Sequence, residues 1–435
     1  MSARILIGDM RERLKELPDN SVDSCVCDPP YHLTSIVKRF GAANAAPAKV
    51  GKTGAYERAS RGFMGQQWDG GDVAFQTDTW AEVLRVLKPG GHLLAFSGTR
   101  TVHRMVCAIE DAGFEIRDSI AWIYGSGFPK SHDVSKGIDR MAGAEREVVG
   151  IRRFADGTSA RRTAGASGVP GSGVAGQSNE TVPATDAARE WQGWGSALKP
   201  ALEPVCLARK PLSEKSIAAN VLKWGTGAIN VDGCRVDFAS DADRWKPEHH
   251  RQGSKPQPMD WGKDAKRFEG TAPQGRWPAN LVTDGSDEVL AGFPAARSSC
   301  NANESKSAEG RDTAIFGNAK SHAIPGVNTF SDSGSAARFF YTAKADQAER
   351  HAGCGDKGNN HPTVKPVSLM QWLVRLVTPP GGTVLDCFMG SGSTGIACQR
   401  EQFSFIGCEL SPEYAAIAEA RMRDDAGMFA EVEAA

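Results

Sequence analysis

Residues 383–395, Thr-Val-Leu-Asp-Cys-Phe-Met-Gly-Ser-Gly-Ser-Thr-Gly, constrain this chain more than any other stretch. An apolar run closing on Asp386 reads as a buried strand, Gly390 and Gly392 make a turn, and Ser393-Thr394 open a helix. Strand, glycine turn and helix in that order form half of a βαβ unit, which requires a parallel sheet with helices packed over it. Glycines at such a turn let backbone N–H groups approach a ligand closely, beside the partial positive charge of a helix start. Phe403 to Cys408 reads as the next strand and ends in Glu409. That carboxylate falls about twenty residues after the glycines, the spacing at which nucleoside sites hold ribose hydroxyls.

The remainder of the chain is consistent with such a sheet. Arg4 to Asp9 reads as a first strand, and Met10 to Leu17 as a short amphipathic helix. Phe75 to Leu87 reads as a helix stopped by Lys88-Pro89-Gly90-Gly91, and His92 to Ser97 as a buried strand. Val102 to Ala112 is a helix, Ile116 to Tyr124 and Pro204 to Ala208 are strands, and Arg338 to Ala343 is a returning strand. Val367 to Thr378 is a helix with an apolar face, and Ser411-Pro412 is a cap followed by a first-turn proline. The predicted class is α/β, with a mostly parallel, doubly wound sheet. Residues 32–70 and the tract AGASGVPGSGVAGQS cannot bury much core and read as loops.

Composition narrows the function. With 40% hydrophobic and 24% charged residues and no long apolar run, the chain suits the cytoplasm rather than a membrane. Net charge is −1, so a nucleic-acid partner is not advertised globally; residues 151–345 hold 25 Lys+Arg against 21 Asp+Glu, a weak local excess. The 10 cysteines form no CxxC pair, and His351, Cys354 and His361 lack a fourth ligand, so no metal is expected. Trp224, Trp245, Trp261 and Trp277 lie among basic residues, a pattern that suits DNA contact and anchors of a small irregular domain equally.

A second constellation sits near the N-terminus. The strand starting at Val22 ends in Asp28-Pro29-Pro30-Tyr31. Asp28 offers carboxylate oxygens at a strand end, where ligands of open α/β sheets collect. The two prolines stiffen the turn and turn its carbonyls outward. Tyr31 adds a flat aromatic face. Together they suit an amino group carried on a flat ring, such as a nucleobase. The glycine turn is G-S-G rather than G-x-G-x-x-G, and Asp386 would meet an ammonium rather than a pyrophosphate. S-adenosylmethionine therefore fits better than a nicotinamide dinucleotide.

Asp28-Pro-Pro-Tyr31, Asp386-x-Phe388-x-Gly390-Ser-Gly392-Ser-Thr394 and His361-Pro-Thr-x-Lys-Pro366 together resemble the amino-methylating DNA methyltransferases. The order, catalytic motif first and cofactor motif last, resembles the β group, a circular permutation of the common Rossmann-like methyltransferase fold. The resemblance implies that Asp28 and the carbonyl of Pro29, braced by Pro30, hold the target amine while Tyr31 stacks on a flipped base. It implies that Asp386, Phe388, Gly390, Gly392, Ser393 and Thr394 line the methionine part of S-adenosylmethionine and that Glu409 takes the ribose. By the same resemblance Asp9 lies near the adenine, and Thr363 and Lys365 near the cofactor carboxylate. This chain has Cys387 where the family commonly has Pro, and Ser393 in place of a second Thr.

The expected layout is a catalytic half over 1–140, a Gly/Ser/Arg-rich mobile insertion over 141–200 and a returning strand over 201–210. A target-recognition domain follows over 211–337, then a cofactor-binding half over 338–425 and a tail over 426–435. Double-stranded DNA is the implied partner; a homodimer and a cognate restriction nuclease stay open. In the family Asp-Pro-Pro-Tyr goes mainly with adenine N6, so a site-specific adenine methylase is expected, with N4-cytosine as its rival. Methylation of RNA or protein glutamine is disfavoured by the motif order. A non-catalytic DNA-binding relative is disfavoured by the intact motifs.

Overall fold

The computed structural model describes residues 2–31, 72–127, 131–151, 179–238, 275–298, 332–343, 347–355, 358–361, 363–427 and 431–434. The loop expected over 32–70, the Gly/Ser/Ala tract, Trp245 and Trp261 fall outside the described residues. Two units are present: Met1–Asn230, Asn280–Ser286 and Thr342–Ala435 make the larger, and Val231–Ala279 with Asp287–Tyr341 the smaller.

In chain order the strands are β1 Ser2–Ile7, β2 Val22–Cys27, β3 Leu87–Phe96, β4 Glu115–Ile123, β5 Val148–Ile151, β6 Asn179–Thr181 and β7 Leu202–Arg209. They continue as β8 Leu281–Thr283, β9 Ala295–Ser298, β10 Asp332–Ser335, β11 Tyr341–Thr342, β12 Thr383–Asp386, β13 Ser404–Glu409 and β14 Glu431–Ala434. The helices are α1 Met10–Arg13, α2 Thr77–Val86, α3 Val102–Asp111, α4 Val134–Met141, α5 Asp186–Glu190 and α6 Ile217–Trp224. After these come α7 Asp287–Ala291, α8 Gln347–His351, α9 Val367–Val377, α10 Ser393–Arg400 and α11 Pro412–Ala426.

One mixed, mostly parallel sheet runs β11-β8-β4-β7-β3-β2-β12-β13-β1-β14. β7 is antiparallel to both β3 and β4. The pairs β2–β3, β2–β12, β12–β13, β1–β13 and β1–β14 are parallel. Every residue of β2 is buried, as a central strand covered on both faces must be. Its period-2 alternation sends Cys25 and Cys27 into a core shared with Trp80 and Val83 of α2 and Met105 and Ile109 of α3. Ser24 points the other way and hydrogen-bonds Thr378, next to α9, at 2.8 Å. Helices therefore cover both faces, and the fold is the doubly wound α/β class.

Four expectations are corrected. Lys88-Pro89-Gly90-Gly91 does not stop α2 ahead of a separate strand, because β3 begins at Leu87. Between Val22 and Ser24 of β2, the partner strand advances from Leu87 to His92, so the turn residues are taken up as a bulge. Gly90 adopts φ +82°, and a Cβ there would meet Asn220 Nδ2 of α6 at 2.5 Å. Asn220 in turn donates to the Pro89 carbonyl at 2.8 Å. That buried anchor explains the second correction: residues 211–230 and β8 belong to the larger unit, not to one block over 211–337. Third, the stretch from Arg338 is only partly a strand. A 3₁₀ turn covers Ala336–Phe339, capped by Ser335, and leaves only Tyr341–Thr342 extended. Fourth, the described parts of 141–200 are folded elements. β5 and β6 pair antiparallel. Buried Asp139 of α4 accepts hydrogen bonds from Arg146 (2.6 Å), from Ala184 N–H (3.0 Å) and from Thr185.

In the smaller unit, β9 and β10 pair antiparallel. Cations stack on rings there: Arg235 lies 5.3 Å from the Trp277 centroid, and Arg338 and Arg276 lie 4.3 and 4.8 Å from that of Phe339. No described helix is long and apolar enough to cross a membrane.

Candidate active site

The sheet reverses its winding between β2 and β12. From β12 the chain proceeds to β13 on one side, and from β2 it proceeds to β3 on the other. Such a switch point leaves a crevice at the carboxyl ends of the two strands. The register Val384↔Ser24 and Leu385↔Cys25 sets the two ends side by side, although they are some 360 positions apart in sequence. Asp386 closes β12 and Asp28 follows β2, so both carboxylates stand at this crevice.

On the β12 side the glycine turn is tightly held. Asp386 is buried; it accepts Phe388 N–H at 3.0 Å and the Thr394 hydroxyl of α10. Burial raises its carboxyl well above the usual range, against those two hydrogen bonds. Gly390 has φ +54°, the left-handed region that glycine enters without steric cost. A Cβ there would lie 2.9 Å from His361 Nε2. The buried His361 ring packs edge-on against Tyr414, with centroids 4.6 Å apart. Burial, with Lys365, Arg350 and Arg421 nearby, lowers its pKa to about 3, so the ring is neutral. Gly392 (φ +81°) caps α10, and a Cβ there would meet Ala418 of α11 at 2.8 Å.

Glu409, at the end of β13, bridges the turn and the last helix. Its Oε2 accepts Gly390 N–H and its Oε1 accepts Ser411 N–H, both at 2.8 Å. Burial raises its pKa, and the backbone donors pull it back. Asp9 follows β1, which pairs with β13 through Ile7↔Glu409. Its carboxylate caps α1 and takes three donors of Arg11 at 2.6–3.0 Å. Arg421 was not foreseen. Completely buried in α11, it donates to the Ser391 carbonyl and to the hydroxyls of Ser391 and Ser393, fixing the turn from behind. One of the two Arg residues of α11 carries no sequence signal of that role.

On the β2 side, Asp28 and Tyr31 join two residues from elsewhere. Lys365 Nζ ion-pairs with Asp28 Oδ2, lies 3.3 Å from Glu203 Oε2 and donates to Tyr31 Oη at 3.3 Å. Tyr31 Oη donates to Glu203 Oε2 at 3.0 Å. The ammonium also sits 5.5 Å from the Tyr31 ring centroid and 4.9 Å from that of Phe96. Thr101 Oγ1 donates to the Tyr31 carbonyl at 3.0 Å. A Cβ on Gly98 would touch the Tyr31 ring at 3.3 Å. Asp28 Oδ1 is buried and has no hydrogen-bond partner among the described residues.

The charges are coupled. Burial raises the Asp28 pKa, Lys365 lowers it and Glu203 raises it. Lys365 stays ionised, its pKa raised to about 12, because the two carboxylates outweigh its burial. The Tyr31 phenol is pushed well above its usual value by burial and by both carboxylates.

Lys365 is paired with Asp28 and Glu203 at the end of β2. Thr363, expected beside it, is exposed, and its N–H reaches His361 Nδ1 at 3.4 Å. Glu203 was missed: it enters on β7 as one Glu in an unremarkable strand. Beneath the site the thiols of Cys25, Cys27 and Cys387 lie within 4.8 Å of one another, fully inside the core.

Fold and site together define a doubly wound α/β domain with a glycine turn at one strand end and an Asp-Pro-Pro-Tyr turn at its neighbour. The chain belongs to the DNA methylase family whose model matches residues 22–143 and 238–420. It is 48% identical over 58 residues to the type II methyltransferase M.BglI of Bacillus subtilis; the match spans 13% of this chain and only 17% of that relative. Among solved structures, PvuII DNA methyltransferase, titled cytosine-N4-specific, has a TM-score of 0.42 and 16% identity, with 99% of this chain and 89% of that one covered. The M1.HpyAVI–SAM complex has a TM-score of 0.38 and 15% identity, with 97% and 98% covered.

Proposed function

We propose that this protein transfers a methyl group from S-adenosylmethionine to the exocyclic N6 of an adenine flipped out of double-stranded DNA. The observation that carries the reading is Asp28 at the winding reversal. It is a half-buried carboxylate with one oxygen tied to a cation and the other buried and unpartnered, beside an aromatic face and next to a glycine turn at the adjacent strand end.

The residues present fit that cofactor. Gly390 and Gly392 both take the left-handed backbone conformation, so the turn meets the strand end without a side chain. Glu409 is a buried carboxylate for the ribose, with Asp9 at the neighbouring strand end for the adenine side. Asp386, Phe388, Gly392, Ser393 and Thr394 surround the same turn and would hold the methionine part, with Thr363 at its rim. When bound, the cofactor supplies a methyl group already activated for displacement.

The chain's own residues then have to improve a poor nucleophile, since the lone pair of an exocyclic amine is delocalised into its ring. Asp28 Oδ1 and the Pro29 carbonyl accept the two N–H bonds, which favours a tetrahedral nitrogen and stabilises the positive charge that grows on it. Pro30 stiffens the turn so that both acceptors are fixed in advance. Tyr31 stacks on the base and offsets part of the unstacking cost, about a few kcal/mol. The proton released afterwards finds its nearest base at Asp28, whose raised pKa suits it to receive one. Cys25 and Cys27 face the core and take no part.

Adenine is favoured by Asp rather than Ser at the head of the motif. Mass spectrometry of digested DNA from cells expressing the protein is expected to show N6-methyladenine. N4-methylcytosine would overturn the choice of base. Absence of both, with S-adenosylmethionine bound, would overturn the enzyme reading in favour of a DNA-binding relative.

A further inference from the structure

Resting on that reading of the site, we propose that Lys365 and Glu203 are positioning residues for the acceptor turn. The Lys365 ammonium clamps Asp28 Oδ2 against Glu203 so that Oδ1 alone faces the target amine, and Glu203 sets the Tyr31 ring by taking its hydroxyl.

Four observations converge. Lys365 is buried, so its charge needs partners on the spot, and it has two carboxylates and a phenol. Its ammonium also lies near two aromatic rings, which leaves the side chain little freedom to swing away. The one buried Asp28 oxygen without a partner is the one the lysine does not hold. Finally, topology delivers Glu203 to this end of the sheet. β7 runs antiparallel to β3, with Val205 opposite Phe96, so its first residues lie beyond the carboxyl end of β3. Glu203 also falls between the two segments matched by the family model.

The clamp has an electrostatic consequence with opposite signs for its two members. Asp28 is faced by Lys365 from the segment before α9, Glu203 from β7, Tyr31 from its own turn and Asp386 from β12; Tyr124 of β4's end faces Glu203. Asp28 stabilises the positive charge growing on the amine only when ionised, so turnover falls as pH drops through its pKa. Removing the lysine charge raises that pKa and moves the acid limb to higher pH. Removing the Glu203 charge lowers it and moves the limb to lower pH.

The test compares full-length wild type with Lys365→Met, Lys365→Arg and Glu203→Gln, on duplex DNA with S-adenosylmethionine. It records kcat, both KM values, the pH profile of kcat and, by calorimetry, the cofactor Kd. Lys365→Met should lower kcat by about 100-fold, the scale on which a small misplacement of a reacting group is felt. Its cofactor Kd should stay within about threefold, since no cofactor contact is lost. Lys365→Arg should return to within about tenfold, because a cation is restored with altered reach. The acid limbs of Lys365→Met and Glu203→Gln should move apart, by about one pH unit in total. If Lys365→Met fails to fold, Glu203→Gln still decides through its limb, which should move to lower pH, and Lys365→Arg through its kcat. Limbs that do not move, or that move together, overturn the proposal. So does a Lys365→Met variant with normal kcat and weakened cofactor binding, which returns the lysine to the cofactor carboxylate. A wild-type chain that methylates neither base marks failure of the methyltransferase reading; an active wild type with unmoved limbs marks failure of this inference alone.

Discussion

Substituting Gly390 by Ala tests how rigidly the cofactor turn is built. The backbone there sits at φ +54°, where a Cβ costs about 1–2 kcal/mol. The new methyl would also lie 2.9 Å from Nε2 and 3.2 Å from Cε1 of His361. That ring is backed by Tyr414 at 4.6 Å, so it has little room to retreat, and overpacking of this sort adds about 1–3 kcal/mol. Gly390→Ala should therefore destabilise the larger unit by about 2–5 kcal/mol, read from urea unfolding followed by circular dichroism. The two contributions separate in a double-mutant cycle. In a His361→Ala background the steric part vanishes and only the backbone part, about 1–2 kcal/mol, remains. A loss below about 1 kcal/mol in the native background, or an equal loss in both, would refute this account of the turn.

Three further outcomes follow from the site and the core. Asp28→Ala should abolish methyl transfer while leaving calorimetric S-adenosylmethionine binding nearly intact; activity within about tenfold of wild type would remove Asp28 from its role. Glu409→Ala should mainly weaken cofactor binding, because it loses a buried carboxylate and frees the N–H groups of Gly390 and Ser411. Burial lowers the pKa of His92 to about 4 and that of His361 to about 3. Between those values and the ordinary one near 6.5 the unfolded chain binds more protons, so stability must fall as pH drops through that window. Each group should cost about 2 kcal/mol between pH 6.5 and 5, and a His92→Asn variant should lose measurably less on acidification than wild type.

Much of this molecule was legible because short-range rules and long-range rules agreed. The helix start at Ser411-Pro412 and the strand–turn–helix at Asp386 need only local chemistry, and both stand where the residues placed them. The Asp28 turn was legible too, since a strand that ends in Asp-Pro-Pro has few alternatives. What escaped depended on neighbours remote in sequence. Lys88-Pro89-Gly90-Gly91 looks like a helix stop, yet Lys210 and Asn220 hold it inside β3. Glu203 and Arg421 carry no local pattern, and each acquires its place only because the sheet brings another strand end or turn against it. The pairing of Lys365 with Asp28 was not legible, because the two stand 337 positions apart in sequence.

The pairing of β2 with β12 has a consequence for the order of assembly. On a ribosome, Asp28 emerges some 360 residues before the strand that must lie beside it. β1 is in the same position, since both of its partners, β13 and β14, belong to the C-terminal end. Until those partners are made, β1 and β2 carry hydrogen-bonding edges with no partner from their own chain. Contacts of such high sequence separation form slowly, and unpaired edges invite association with other chains. The crevice between them is thus completed only after this long interval, and yield on expression should respond to temperature and chaperone supply more than the stability of the finished fold would suggest.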